Sequence, residues 1–265
     1  MNRQHPLSPG LLLRMLRYHV TSPYVVFWRA IEVAVMVDLA ARQGLDLQAH
    51  VDLDVGCGNG VLGHALIRDI ALGFDLSAVG VAWARRNRPA YRALLRASAT
   101  AIPLRGGSQR LVFSNSVIEH IPDASAALDE IARVVAPGGY LLLSTVGEQF
   151  PALMLGTPQP DGQERAAIDQ SYAHYHYYST AGLSDELAAR GLRVLGSASY
   201  IDAAQARWCY RLRVWEQRQG RLGLVRRLNQ LRRAPLGLAL VPWMFRLHAP
   251  PDRGAGLAVI AQRPA

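Results

Sequence analysis

The segment Asp54-Val55-Gly56-Cys57-Gly58-Asn59-Gly60 is the strongest chemical signal in the chain. Glycines at alternate positions let the backbone take positive φ and lie close against a ligand, and a helix starting just after them offers free amide donors. The pattern predicts a cofactor on the turn between a first strand and the next helix. Gly58-x-Gly60-x-x-Gly63 also fits a dinucleotide fingerprint, and Asp75, closing the following strand, suits a ribose diol in either case. His120 is the first candidate general base, because it follows a strand and a neutral imidazole can take a proton near pH 7. A third group is Tyr172-Ala173-His174-Tyr175-His176-Tyr177-Tyr178. Tyr172, Tyr175, Tyr177 and Tyr178 can stack on or position an acceptor, and His174 and His176 are further candidates for catalysis. His174-x-His176 is not read as a metal site, since no carboxylate or cysteine lies near enough in sequence to complete a ligand set.

Positioning these groups requires a sheet whose strand ends face one crevice. From His50 onward, short β-rich runs alternate with helical stretches, which predicts an α/β fold with a doubly wound, mostly parallel sheet. Strands are expected at His50–Val55, Ala71–Asp75, Tyr91–Ala97, Arg110–Ser116, Tyr140–Val146, Arg193–Tyr200 and Gly256–Gln262. Helices are expected at Val61–Ile70, Ser77–Arg86, Ala124–Val135 and Thr180–Arg190, with Leu11–Val20 and Tyr24–Gln43 as N-terminal helices outside the core. The whole chain reads as one domain: an extension over 1–49, a cofactor-binding core over 50–200, a basic helical insert over 201–253, and a last strand over 254–265. The insert should leave and re-enter at the carboxyl edge of the sheet, as a lid or platform over the site.

Four motifs in order resemble the class I S-adenosylmethionine-dependent methyltransferases. They are Leu53 to Gly60; Gly73-Phe74-Asp75-Leu76-Ser77; Ser114-Asn115-Ser116-Val117-Ile118-Glu119-His120-Ile121-Pro122; and Glu130 to Gly139. The resemblance implies a seven-stranded Rossmann-like sheet with an antiparallel last strand, and S-adenosylmethionine as cofactor. It implies a cofactor site made by Asp54, Gly56, Cys57, Gly58, Gly60, Asp75, Leu76, Ser98, Ala99 and Asn115. Ser98 stands where the family commonly has an aspartate that accepts from the adenine amino group; a hydroxyl accepts without charge assistance, so that contact should be weaker. Methyl transfer to a small or lipid-like acceptor, at oxygen ahead of nitrogen or carbon, is the expected reaction. An RNA methyltransferase and a non-catalytic cofactor-binding protein on the same fold are the alternatives.

Composition narrows the field further. The chain has 265 residues, half of them hydrophobic, enough to bury roughly 70–75% of its unfolded surface without a disulfide or metal staple. It has no lysine, which excludes Schiff-base chemistry, pyridoxal phosphate and a P-loop. Two cysteines, Cys57 and Cys209, make no disulfide framework, and a cytoplasmic setting is expected. The net charge is +9, and nine arginines from Arg207 to Arg233 against the single acid Glu216 hold nearly all of it. With Trp208, Tyr210 and Trp215 among them, these arginines suggest peripheral contact with an anionic membrane; nucleic acid is not the expected partner.

Overall fold

The computed structural model describes residues 22–220 and 253–265. Its centre is a seven-stranded sheet: β1 (His50–Val55), β2 (Asp69–Asp75), β3 (Tyr91–Arg96), β4 (Gln109–Asn115), β5 (Val135–Val146), β6 (Arg193–Tyr200) and β7 (Gly256–Gln262). The spatial order is β3-β2-β1-β4-β5-β7-β6, and only β7 runs antiparallel to its neighbours. The fold is therefore the doubly wound, Rossmann-like α/β arrangement with the expected antiparallel last strand. Strands that are covered on both faces lose the in–out alternation. The run Leu111 to Asn115 in β4 and the run Leu141 to Val146 in β5 are buried without a break.

Helix α1 (Pro23–Ala41) is capped by Ser22, whose hydroxyl accepts from the Val25 amide, and has proline at its start. Most of its length is apolar and buried, from Val26 through Ala40, because it packs on β5, β6 and β7. A helix that is apolar all round has to be covered on all sides, and α8 (Ala203–Gly220) covers its outer side. The remaining helices are α2 (Val61–Leu66), α3 (Ala78–Asn87), α4 (Ala124–Val134), α5 (Phe150–Leu155), α6 (Gly162–Tyr172) and α7 (Thr180–Ala189). In α4, Ala127, Leu128, Ile131, Ala132 and Val134 form the buried stripe, and Asp123 caps it by accepting from the Ala126 amide.

Several boundaries differ from the sequence expectations. The helix expected over Val61–Ile70 ends at Leu66, where Ile67 turns extended, and β2 begins at Asp69 rather than Ala71. Asp69 is held there by His50 on β1, at 2.7 Å, and by Arg92 on β3, so charge pairing across neighbouring strands extends β2 backward. β5 starts at Val135, before the Pro137-Gly138-Gly139 turn, because Val135 already pairs with Gln109; the register then shifts to Leu111 opposite Tyr140. Helices α5 and α6 had no counterpart among the expected elements, although Asp161 and Glu164 form a capping box at the start of α6. The helix expected at Leu11–Val20 and the arginines beyond position 220 lie outside the described residues.

Gly256 pairs with both Val146 and Tyr200, so the segment between β6 and β7 departs from and returns to the carboxyl edge of the sheet. Its described part is tied down on α1 and α6. Glu216 accepts from the Ser22 hydroxyl and the Tyr24 amide, while Arg213 donates to the Ser171 carbonyl at 2.6 Å and lies over the Tyr172 ring. Among the described residues, no helix is long and apolar enough to cross a membrane.

Candidate functional site

The turn from β1 to α2 is built by three glycines in the left-handed region, Gly56 (φ +68°), Gly58 (φ +56°) and Gly60 (φ +68°). A Cβ on Gly56 would stand 2.5 Å from Val117, whereas one on Gly58 would meet nothing within 4 Å. The loop is thus pressed against the segment after β4 at one glycine and open at the next. Asp75, ending β2, fixes it: one carboxylate oxygen accepts from the Gly58 amide and the other from the Ser77 amide, each at 2.8 Å. These bonds use one lone pair per oxygen and leave acceptor capacity for a diol. Beside Asp75, the apolar Leu76 is 66% exposed. Half-buried Ser98 and buried Ala99 follow β3, and the Ser98 hydroxyl is 2.8 Å from that of Thr100. The open cradle above Gly58, the carboxylate and the free apolar edge fit the adenosyl cofactor that the resemblance implies.

Below the loop, Asp54 is buried and accepts from the Tyr91 hydroxyl at 2.5 Å. Burial lifts the Asp54 carboxyl to about 7; the Tyr91 bond pulls against that rise and the charge of Asp75 adds to it. Tyr91 fits only because glycines surround it. A Cβ at Gly63 would lie 2.1 Å from its hydroxyl oxygen, one at Gly60 2.9 Å from its ring, and one at Gly73 2.6 Å from its ring. Gly63, the third glycine of the ambiguous fingerprint, therefore clears space for a Tyr–Asp contact. Tyr91 was expected only as part of a strand. Cys57 is half-buried, and burial raises its thiol above the ordinary range, which keeps it protonated.

At the end of β4 the structure places a polar cluster of which the sequence singled out only Asn115, and that as a cofactor-site residue. Glu32 of α1, fully buried, accepts from the hydroxyls of Ser116, Ser144 and Tyr200 at 2.7–2.9 Å and from Arg29 at 2.5 Å. Arg29 also donates to Asn115 Oδ1 and Ser116 Oγ, both at 2.7 Å. Asn115 is committed to this network, with its amide donating to Ser144 as well. Ser116 takes φ +49°, a conformation rare for a side-chain-bearing residue and held here by those bonds. The signal in the sequence was a charged pair three residues apart inside an otherwise apolar helix.

Next to this cluster lies a cavity of about 110 Å³, walled by Tyr24, Trp28 and Arg29 of α1, Phe150 of α5, Tyr172, and the polar group Ser116, Glu119, His120 and His174. Of the residues expected to act on an acceptor, the cavity gathers His120, His174 and Tyr172. His176 is turned elsewhere, with Nε2 2.9 Å from the Pro122 carbonyl, and fastens the loop. Tyr175 points outward, 61% exposed. Tyr177 donates to Asp169 and stacks on Phe150, and Tyr178 bridges to Gly147, so both support the wall from behind. His120 Nδ1 is 2.9 Å from the Ala173 carbonyl, which makes that nitrogen the donor; in the neutral ring Nε2 then carries the lone pair. His174 is buried, and desolvation, helped by His120 and Arg213, lowers its pKa to about 3, so its ring is neutral.

Comparison with known proteins agrees with this architecture. Residues 53–143 match the family model described as a methyltransferase domain. Over 143 residues, half of this chain, the sequence is 32% identical to a malonyl-[acyl-carrier protein] O-methyltransferase of Yersinia pestis, across 53% of that protein. Over 150 residues, 54% of this chain, it is 32% identical to a ubiquinone biosynthesis O-methyltransferase of Sinorhizobium medicae, across 59% of that protein. The chain thus spans about half the length of the curated relatives it matches. An S-adenosylmethionine-dependent methyltransferase from Mesorhizobium loti shares the fold, with a TM-score of 0.54 and 18% identity over 84% of this chain and 96% of its own.

Proposed function

We propose that this chain, whose residues 53–143 match a methyltransferase domain, is a class I S-adenosylmethionine-dependent methyltransferase that methylates an oxygen of a small or lipid-like acceptor whose reacting end enters the aromatic-walled cavity. One observation carries the reading: a single segment, residues 116–120, touches both the glycine loop and the cavity. Its Val117 rests on Gly56 of the glycine loop, while its Ser116, Glu119 and His120 line the cavity. The relatives quoted above are both O-methyltransferases, which supports oxygen as the acceptor atom.

When bound, S-adenosylmethionine supplies a methyl group already activated on a sulfonium; an O–CH3 bond forms as the S–CH3 bond breaks, leaving S-adenosylhomocysteine. The chain's own work is alignment and proton removal. Asp75 and the Gly56–Gly60 turn hold the adenosyl half, with Leu76, Ser98 and Ala99 around the base and Asp54 buried beneath. Tyr24, Trp28, Phe150 and Tyr172 exclude water and orient the acceptor, and such pre-orientation can lower a barrier by roughly 7–11 kcal/mol. His120 Nε2 accepts the hydroxyl proton, and the Ala173 carbonyl stabilises the imidazolium through Nδ1–H. Neutral His174 packs against His120, ring centroids 5.1 Å apart, and can hydrogen-bond the acceptor without adding charge. The arginines of 207–233 would bring a lipid-like acceptor to this edge from an anionic surface, although Arg213 is already engaged inward.

The test is incubation of the purified chain with methyl-labelled S-adenosylmethionine and fractionated cell extract. Label is expected in a lipid or polar-metabolite fraction, as an alkali-sensitive ester or a stable ether. Label in RNA, or in nothing while cofactor binding persists, would overturn the proposal.

A further inference from the structure

The polar end of the cavity contains more ligand capacity than an acceptor hydroxyl needs. Glu119, His120 and His174 each present one donor atom, and these atoms all lie within 4.8 Å of one another. Two of the three come from adjacent positions after β4 and the third from the loop after α6. The backbone fixes that approach, since the Tyr175 amide donates to the Glu119 carbonyl at 2.8 Å. Among the described residues no arginine pairs with the Glu119 carboxyl; Oε2 accepts from Thr145 at 3.0 Å, and Oε1 is 4.0 Å from His120 Nε2. His174 is 8% exposed, and its buried Nδ1 has no hydrogen-bond partner. An orphaned buried nitrogen of this kind costs about 1–3 kcal/mol unless something occupies it.

We propose that Glu119, His120 and His174 bind a divalent first-row transition-metal ion, with open coordination positions facing the cavity. Two imidazole nitrogens and one carboxylate oxygen form a borderline donor set that suits zinc, cobalt, iron(II) or manganese and disfavours magnesium, which takes oxygen ligands. Three protein ligands with room for an exogenous one is the arrangement of catalytic rather than structural sites. The outer contacts are in place too. His120 donates from Nδ1 to the Ala173 carbonyl and Glu119 is held by Thr145, the kind of support that orients ligating side chains. Of the two arginines beside the cluster, Arg29 on the cavity wall is paired with Glu32, and Arg213, whose charge reaches His174, donates to the Ser171 carbonyl. Contracting the cluster to about 3.3 Å between donors, the edge of a tetrahedron with bonds of about 2.0–2.1 Å, requires movement mainly of the half-exposed His120. With the ion bound, Glu119, His120 and His174 would hold it, it would supply Lewis-acid polarisation of an acceptor oxygen, and His120 would serve as ligand. Without it, His120 takes the proton as described above. Only this role rests on the methyl-transfer reading; binding does not.

The experiment uses the untagged full chain, stripped with chelator and titrated with Co2+, whose visible absorption reports coordination directly. Saturable bands at one equivalent, bleached by Zn2+ but not by Mg2+, are expected. His120→Ala, at a position exposed enough to leave folding intact, should weaken Co2+ by at least about tenfold. Glu119→Gln should do the same, and His50→Ala, at a surface histidine, should change nothing. Zn2+ should also raise the melting temperature of the unaltered chain but not of His120→Ala. Absence of saturable bands, or equal affinity in His120→Ala and the unaltered chain, would overturn the site. A bound ion whose removal leaves methyl transfer unchanged would confirm the site and overturn its role.

Discussion

The Tyr91 hydroxyl donates to the Asp54 carboxylate at 2.5 Å directly beneath the glycine turn, and Gly63 leaves just enough room for it. This contact joins β1, β3 and α2 at the point where the cofactor loop begins. Tyr91→Phe keeps the ring between Gly60, Gly63 and Gly73 but deletes the donor, so urea unfolding should show a loss of about 1–3 kcal/mol. Gly63→Ala should cost more, since its Cβ would meet the Tyr91 oxygen at 2.1 Å and Asp54 Oδ2 at 2.7 Å. Combining the two should recover part of the loss, because the hydroxyl that clashes is gone. Strict additivity would show that the clearance is not what Gly63 provides.

Asp75 holds the turn through Gly58 and has acceptor capacity left for a diol. Asp75→Ala should weaken S-adenosylhomocysteine binding by about 1–3 kcal/mol, measured by calorimetry. Unchanged affinity would place the ribose on other residues.

Two buried groups should give opposite pH dependences of stability. Asp54, with its folded pKa raised to about 7, keeps its proton in the folded chain after the unfolded chain has lost it. Its contribution is therefore full below about pH 4 and declines as pH rises to 7. His174, lowered to about 3, resists a proton that the unfolded chain binds below about 6.5, so its contribution is full above that value and declines as pH falls. Each slope approaches about 1.4 kcal/mol per pH unit where it acts, and from about pH 4 to 6.5 they oppose. Relative to the unaltered chain, Asp54→Asn should make cofactor-free stability rise more steeply with pH in that window, and His174→Phe should make it fall. Parallel pH profiles for the three proteins would refute both assignments.

Glu32 and Arg29 should behave as a unit. Glu32→Gln leaves the Arg29 charge uncompensated and should cost about 3–5 kcal/mol in chemical unfolding. Replacing both with apolar residues of similar size should cost much less than the sum of the single changes. The Ser116 backbone, no longer held at positive φ, should then relax, which an amide chemical-shift change at Ser116 would report.

The elements proposed to carry the cofactor were largely legible along the chain. The glycines at 56, 58 and 60, Asp75, and the bounds of β1, β6 and β7 follow from local chemistry: left-handed backbone, a carboxylate at a strand end, and short β-rich runs between turns. Errors fell where a contact from another strand decided the matter, as when His50 and Arg92 drew Asp69 into β2. The histidine pair at 174 and 176 shows the same limit. Sequence spacing made the two residues equivalent, but folding buried one in the cavity and fastened the other to Pro122.

The chain order therefore determined the cradle we propose for a nucleoside-bearing cofactor, since backbone amides and strand ends are set by nearest-neighbour rules. Tertiary structure alone decided what faces that cradle. The cavity proposed to receive the acceptor is assembled from α1, the end of β4, α5 and the loop after α6, segments far apart in sequence whose meeting depends on burial of an almost wholly apolar helix against β5, β6 and β7. The carboxylate absent from the sequence neighbourhood of His174 is Glu119, brought within reach because the Tyr175 amide bonds to its carbonyl.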